Sequence, residues 1–221
     1  MNKINAQNKA IKIIIASLFL TLILIMIISF IIYLQRDKAT NEMISRVPSI
    51  NNEKNKKVDI IVFGDYQCPF CKAYETKVFP KLKKDYLDTN KVSYHFVNAQ
   101  LLGKESELAS RASYAVYQTD KQKYWEFHRN LFKEQESENE LTVKRIDKLI
   151  ENLGLPTNEA NRIKVDYKSN NNKSYKASEE AKDIKEAFDV KQVPTIIIND
   201  KKVKNPYKYS EIKKIIEKEL E

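Results

Sequence analysis

From Ile13 to Gln35 the chain reads IIIASLFLTLILIMIISFIIYLQ, twenty-three residues without a charge. As a helix rising about 1.5 Å per residue this run spans about 34 Å, enough for a hydrocarbon layer of about 30 Å. A secretory signal has a shorter apolar core, about 7–15 residues, followed by a small-x-small cleavage site. The run ends FIIYLQRDK, which offers no such site, and no cysteine follows it for lipid attachment. The reading is an uncleaved transmembrane helix over residues 13–35. Lys3, Lys9 and Lys12 precede it with no acid, whereas Arg36, Asp37, Lys38 and Glu42 follow with mixed sign. The positive-inside rule then puts residues 1–12 in the cytoplasm as a short tail and the chain from 36 onward outside. The expected location is the cell membrane, single-pass, with an extracytoplasmic domain, where disulfides form and persist.

The rest has the make-up of an ordinary globular protein, with 42% hydrophobic and 31% charged residues over the whole chain. The three N-terminal lysines account for part of the net charge of +9, leaving +6 beyond residue 35. Those charges are scattered, basic alternating with acidic along helical stretches, so they read as a solvated surface and not as a nucleic-acid face. Only Gly64, Gly103 and Gly154 are glycine, which excludes a glycine-rich phosphate loop.

Residues 36–57 are polar and lack apolar periodicity, and are read as a stalk. VDIIVFG (58–64) is a short β-rich apolar run with the pattern of a buried strand. A helix is expected over 69–86, kinked at Pro80, then a strand in 91–98. Three amphipathic segments follow, SELASRASYAVYQ, KYWEFHRNLFKEQ and LTVKRIDKLIENLGL, with helices over 157–168 and 174–188 after them. TIIIND and KKVKN read as a hairpin, and a last helix is expected from Ser210 as N-cap.

Both cysteines of the chain lie in FGDYQCPFCKAYE, as Cys68 and Cys71. Cys68 sits where strand gives way to helix, and Pro69 suits the first helical position because its missing N–H would be unpaired there anyway. The helix N-terminus favours a negative charge, so the Cys68 thiolate is stabilised. A Cys68 pKa of about 4 would favour the reduced pair by about 4 kcal/mol at pH 7, making it about 90 mV more oxidising. A low pKa also makes Cys68 a good leaving group.

The motif and the order of elements resemble the DsbA-like thiol-disulfide oxidoreductases of the thioredoxin superfamily, most closely the membrane-anchored forms of Gram-positive bacteria. FGDYQCPFC fits their F-x-D-Y-x-C-P-aromatic-C pattern, and QVPTIIIND carries a second match 122 residues beyond Cys71. The resemblance covers about residues 58–221. It implies an α/β thioredoxin-like fold from residues 58–98 and 186–221, with an inserted helical domain over 99–185. It also implies a cis-proline at Pro194 that faces the cysteines, preceded by backbone at Val193 that docks substrate. Val62 departs from relatives that often carry a glutamate there, and Gln192 stands where a small residue is common.

The expected activity is dithiol/disulfide exchange that forms disulfide bonds in exported proteins. Cys68 is the nucleophile, Cys71 the resolving partner, and Pro69 and Phe70 tune the motif. The expected partners are unfolded or folding exported proteins with thiols and a DsbB-like, quinone-linked membrane reoxidant, with no nucleic acid. No cofactor is expected beyond the redox-active Cys68–Cys71 disulfide, and no metal. Zinc would need four ligands, and His95 and His128 have no zinc-finger spacing. Both histidines, with Tyr124, Trp125 and Phe127, read as packing residues. Two alternatives stay open: a reductase or isomerase on the same scaffold, and a chaperone-like binding module with a structural cysteine pair.

Overall fold

The computed structural model describes residues 2–52, 56–135 and 141–221, and in the N-terminal helix the side chains of residues 15, 17–32, 34, 35 and 38 onward. It divides into two compact units, Met1–Glu42 and Met43–Glu221. The first is carried by α1 (Asn2–Ile44), a 43-residue helix. Its described large apolar side chains are exposed at consecutive positions, Leu18, Phe19 and Leu20 among them. At helical spacing such neighbours point in different directions around the axis. Among the described residues, no helix is long and apolar enough to cross a membrane.

The second unit is built on a five-stranded sheet of β1 (Ser49–Ile50), β2 (Asp59–Gly64), β3 (Ser93–Asn98), β4 (Thr195–Ile198) and β5 (Lys201–Lys202). The spatial order is β1-β3-β2-β4-β5. Central β2 runs parallel to β3, with Ile60 opposite Tyr94, and antiparallel to β4, with Ile60 opposite Ile198. Because side chains alternate along a strand, β2 feeds two cores. Ile60 and Val62 join Tyr94, Phe96 and Ile198 on one face. Ile61 and Phe63 join Val97 and Ile197 on the other. A strand buried on both faces reads as continuous hydrophobicity, and VDIIVFG is such a run.

The stretch read as a stalk is more structured than its composition suggests. Residues 36–44 continue α1, Ile44 and Val47 are buried in the second core, and Ser49–Ile50 pairs antiparallel with β3. Two strand residues carry no periodicity that a sequence pattern could reveal.

The helix expected over 69–86 is broken at Val78 into α2 (Pro69–Lys77) and α3 (Phe79–Leu82), followed by a π-helical turn, Lys83–Leu87. Pro80 lies in the first turn of α3, where its absent N–H costs nothing. Among the described residues, five helices lie between β3 and β4: α4 (Lys104–Thr119), α5 (Lys121–Glu134), α6 (Val143–Glu151), α7 (Thr157–Lys168) and α8 (Lys173–Ala187). Asp120 caps α5 by accepting from the N–H groups of Gln122 and Lys123, at 2.8 and 3.0 Å. Ala181 and Ile184 of α8 pack on the second face of the sheet with Phe63 and Val97. The last helix, α9, is Tyr209–Leu220, so Ser210 falls inside it and Lys208 holds the cap position without a side-chain bond. Glu211 takes over as an acceptor, bonding the N–H of Lys204 at 2.9 Å.

Candidate active site

β2 ends at Gly64, a position crowded by the Phe96 ring. A Cβ on Gly64 would lie 2.6 Å from the Phe96 ring and 3.9 Å from Cys71 Sγ. Beyond it the chain turns through Asp65, Tyr66 and Gln67, with the Cys68 N–H donating to the Asp65 carbonyl at 3.0 Å. Cys68 then holds the N-cap position of α2 in extended conformation, with Pro69 directly after it.

The Asp65 carboxylate fastens this turn to the helical segment. It is fully buried, and one oxygen accepts from the Gln67 N–H at 2.8 Å and the Ser106 hydroxyl at 2.6 Å. The other accepts from the N–H groups of Leu101 and Leu102, at 2.8 and 3.1 Å. Beneath the turn, Tyr66 is buried between Phe96 and Phe132, its hydroxyl 2.9 Å from His128 Nδ1. His128 Nε2 stands 3.4 Å from the buried carboxylate of Glu75. His128 is thus a packing residue in an aromatic cluster with Tyr124, Trp125 and Phe132. His95 lies on β3, 3.0 Å from Asp59.

The two cysteines are free thiols in different environments. Cys71 is 2% exposed, and burial pushes its thiol well above the ordinary range, with the neighbouring Cys68 adding to the effect. Cys68 goes the other way, held down to about 7. The first cause is the hydrogen bond from the Cys71 thiol; the backbone N–H groups of Cys71 and Phe70 help, against desolvation and the Asp65 charge. The value lies within the range of about 3.5–7.5 open to a cysteine at a helix start, at its upper end. Burial opposes the thiolate. Phe70, between the cysteines, projects outward at 63% exposure.

The distant QVPT segment folds back onto this point. The Val193–Pro194 peptide bond is cis, and the Val193 carbonyl accepts from Cys68 Sγ at 3.7 Å. Val62 is buried in the same core as Cys71, so that position supplies no carboxylate. Gln192 uses its carbonyl to accept from the Thr195 hydroxyl, at 2.8 Å. Two residues of this neighbourhood, Glu75 and Tyr207, were not singled out from the sequence, and Asp65 figured there only as part of the FGDYQCPFC motif, without a role. Asp65 bonds partners about forty residues away, and Glu75 is a lone acid on an otherwise exposed-looking helix. Tyr207, whose phenol is raised by burial and by negative charge on Cys71 and Cys68, comes from a loop. Among the described residues, no group of three or more His, Cys, Asp and Glu is placed to hold a metal.

Comparison with known proteins agrees with this arrangement. The Thioredoxin family model matches residues 51–218. The chain belongs to the thioredoxin family. This thioredoxin-family chain is 36% identical over 189 residues to disulfide bond formation protein D of Bacillus subtilis, covering 81% of the chain and 82% of that protein. Probable disulfide bond formation protein D of Bacillus cereus is 31% identical over 167 residues, covering 74% of each. The crystal structure of oxidised BdbD from Bacillus subtilis matches with a TM-score of 0.72 at 34% identity, covering 80% of this chain and 94% of that one. The catalytic domain of Proteus mirabilis ScsC, 19% identical with a TM-score of 0.67, shares the fold. The thioredoxin-family domain is therefore of the DsbA-like kind, and its enzymatic class is protein thiol-disulfide oxidoreductase.

Proposed function

We propose that this oxidoreductase forms disulfide bonds in exported proteins through Cys68 and Cys71, from a membrane tether formed by residues 13–35. The observation that carries the reading is the asymmetry of the pair. Cys68 is held down to about 7 and lies against the Val193 carbonyl, whereas Cys71 is buried and pushed up. One thiol is equipped to exchange with a partner and the other to exchange internally.

A substrate thiolate attacks Sγ of Cys68 in the oxidised pair. The Cys68–Cys71 bond breaks, its electron pair leaves on Cys71 Sγ, and a mixed disulfide joins substrate to Cys68. A second substrate thiolate then attacks the substrate sulfur, and Cys68 departs as the better leaving thiolate. The substrate is oxidised by two electrons and the pair is reduced. Val193 and Pro194 border the groove in which the substrate strand docks. A DsbB-like, quinone-linked membrane protein restores the disulfide.

The tether is supported by the uncharged run and by the exposed apolar side chains of α1, which have no soluble explanation in a helix apolar all round. The lysine bias supports a cytoplasmic N-terminus.

The test is trapping. A Cys71→Ser variant expressed in cells accumulates mixed disulfides with exported proteins, while a Cys68→Ser variant does not. Absence of any trapped species sinks the mechanism.

One observation favours a second reading, a reductase or isomerase. A value of about 7 at Cys68 is that of a thioredoxin cysteine, whereas the oxidant DsbA lies near about 3.5. Equilibration with a glutathione redox buffer decides between them. A potential near about −270 mV supports reduction, and one near about −120 mV supports oxidation.

A further inference from the structure

Beside the cysteines lies a cleft of about 240 Å³ whose lining includes Phe70, Val193, Pro194, Lys202, Lys204 and Tyr207. Val193 is also the residue whose carbonyl meets Cys68 Sγ, so the cleft adjoins the Cys68 sulfur through a residue they share. One wall is aromatic and open to solvent: Phe70 is 63% and Tyr207 43% exposed, with ring centroids 6.5 Å apart. The other wall is cationic. Lys202 and Lys204 are exposed on either side of buried Val203, as alternation along an extended chain requires.

No carboxylate lines this cleft among the described residues. Three of the acids nearby make contacts outside the cleft, although Asp189 also feels the charge of Lys202. Asp189 pairs with Lys191 at 2.7 Å, Glu219 with Lys201, and one Glu211 oxygen accepts from the N–H groups of Lys204 and Asn205 at 2.9 and 3.3 Å. Residues 189–211 carry five lysines against Asp189, Asp200 and Glu211. The region is net positive where a substrate must lie.

We propose that this cleft selects cysteine-bearing peptide segments flanked by acidic residues, with Lys202 and Lys204 as the specificity-determining side chains and Phe70 and Tyr207 as an apolar wall. The inference rests on the reading that substrate thiols react at Cys68, and it adds the class of segment that reaches that sulfur fastest. β5 is an edge strand, and edge lysines also deter strand addition. A purely protective role gives no dependence of rate on peptide charge, so the two explanations separate by measurement.

The experiment uses the oxidised full-length chain in detergent and three synthetic peptides, each with one cysteine flanked by two Glu, two Gln or two Lys. The readout is the second-order rate of mixed-disulfide formation at low salt. Each rate is normalised to the same peptide's rate with hydroxyethyl disulfide, which removes the effect of the flanks on the peptide thiol itself. An exposed ion pair shifts an association constant by up to about fivefold. The Glu-flanked peptide is therefore expected to react about tenfold faster than the Lys-flanked one. The ratio falls toward one in 1 M salt, where the Debye length is about 3 Å. It also falls toward one in the Lys202→Gln/Lys204→Gln variant.

Equal normalised rates for the three peptides overturn the proposal, and so does a preference that survives the double substitution. Failure of every peptide to reduce the pair overturns the exchange reading itself, and this inference with it.

Discussion

The largest influence lowering Cys68 is the hydrogen bond from the Cys71 thiol, and it can be removed without touching Cys68. Cys71→Ser keeps a donor at that position, whereas Cys71→Ala takes it away. At a pKa of about 7 roughly half of Cys68 is thiolate at pH 7. Without the donor, desolvation is opposed only by the backbone N–H groups of Cys71 and Phe70. The midpoint then returns toward the ordinary cysteine value of about 8.5, leaving about 3% thiolate at pH 7. The more basic thiolate is also intrinsically more reactive, by about fivefold for a rise of 1.5 units at a Brønsted coefficient of about 0.45. The two effects largely cancel at neutral pH, where the Ala variant reacts only about threefold more slowly. The midpoint is therefore the discriminating quantity. Release of a chromogenic aromatic thiol from its disulfide, followed from pH 5 to 10, should place Cys71→Ser near 7 and Cys71→Ala at least one unit higher. Coincident midpoints refute the assignment of the shift to Cys71.

Two further outcomes follow from the turn before Cys68. Gly64→Ala forces the Phe96 ring away from a Cβ that would lie 2.6 Å from it, a small-to-large change expected to destabilise the domain by about 2 kcal/mol in urea denaturation; an unchanged midpoint contradicts the packing described. Asp65→Ala leaves four donors without their acceptor and should cost about 3 kcal/mol or more. Because the Asp65 charge raises Cys68, the folded variant should also titrate below about 7, and a rise instead would refute the sign.

Much of this was legible in the chain. VDIIVFG announced the central strand because burial on both faces leaves a continuous apolar run, and Cys68-Pro69 marked the helix start because proline suits a first turn. Val193-Pro194 was legible only through resemblance, since no local periodicity connects it with a motif 122 residues earlier. What could not be read depends on distance in the chain. Asp65 earns its place from N–H groups at Leu101 and Leu102 and from Ser106, none of which a sequence pattern pairs with it. Ser210 had the chemistry of an N-cap, but α9 begins one residue earlier, and Glu211 bonds the preceding loop instead. The Cys68 pKa of about 7 falls at the upper end of the range of about 3.5–7.5 that a helix start allows, because a thiol packed at 4% exposure loses hydration, which opposes the helix end.

The sheet order has a consequence for synthesis of the chain. β2 emerges early, but its antiparallel neighbour β4 begins only at Thr195, beyond the whole helical segment. Until then the strand that precedes Cys68 and Cys71 has one unpaired edge and two apolar faces of isoleucine, valine and phenylalanine. A polypeptide interrupted before residue 195 would keep that edge permanently open, a template for aggregation, while presenting a dithiol with no groove beside it. Premature termination should therefore produce an aggregation-prone fragment.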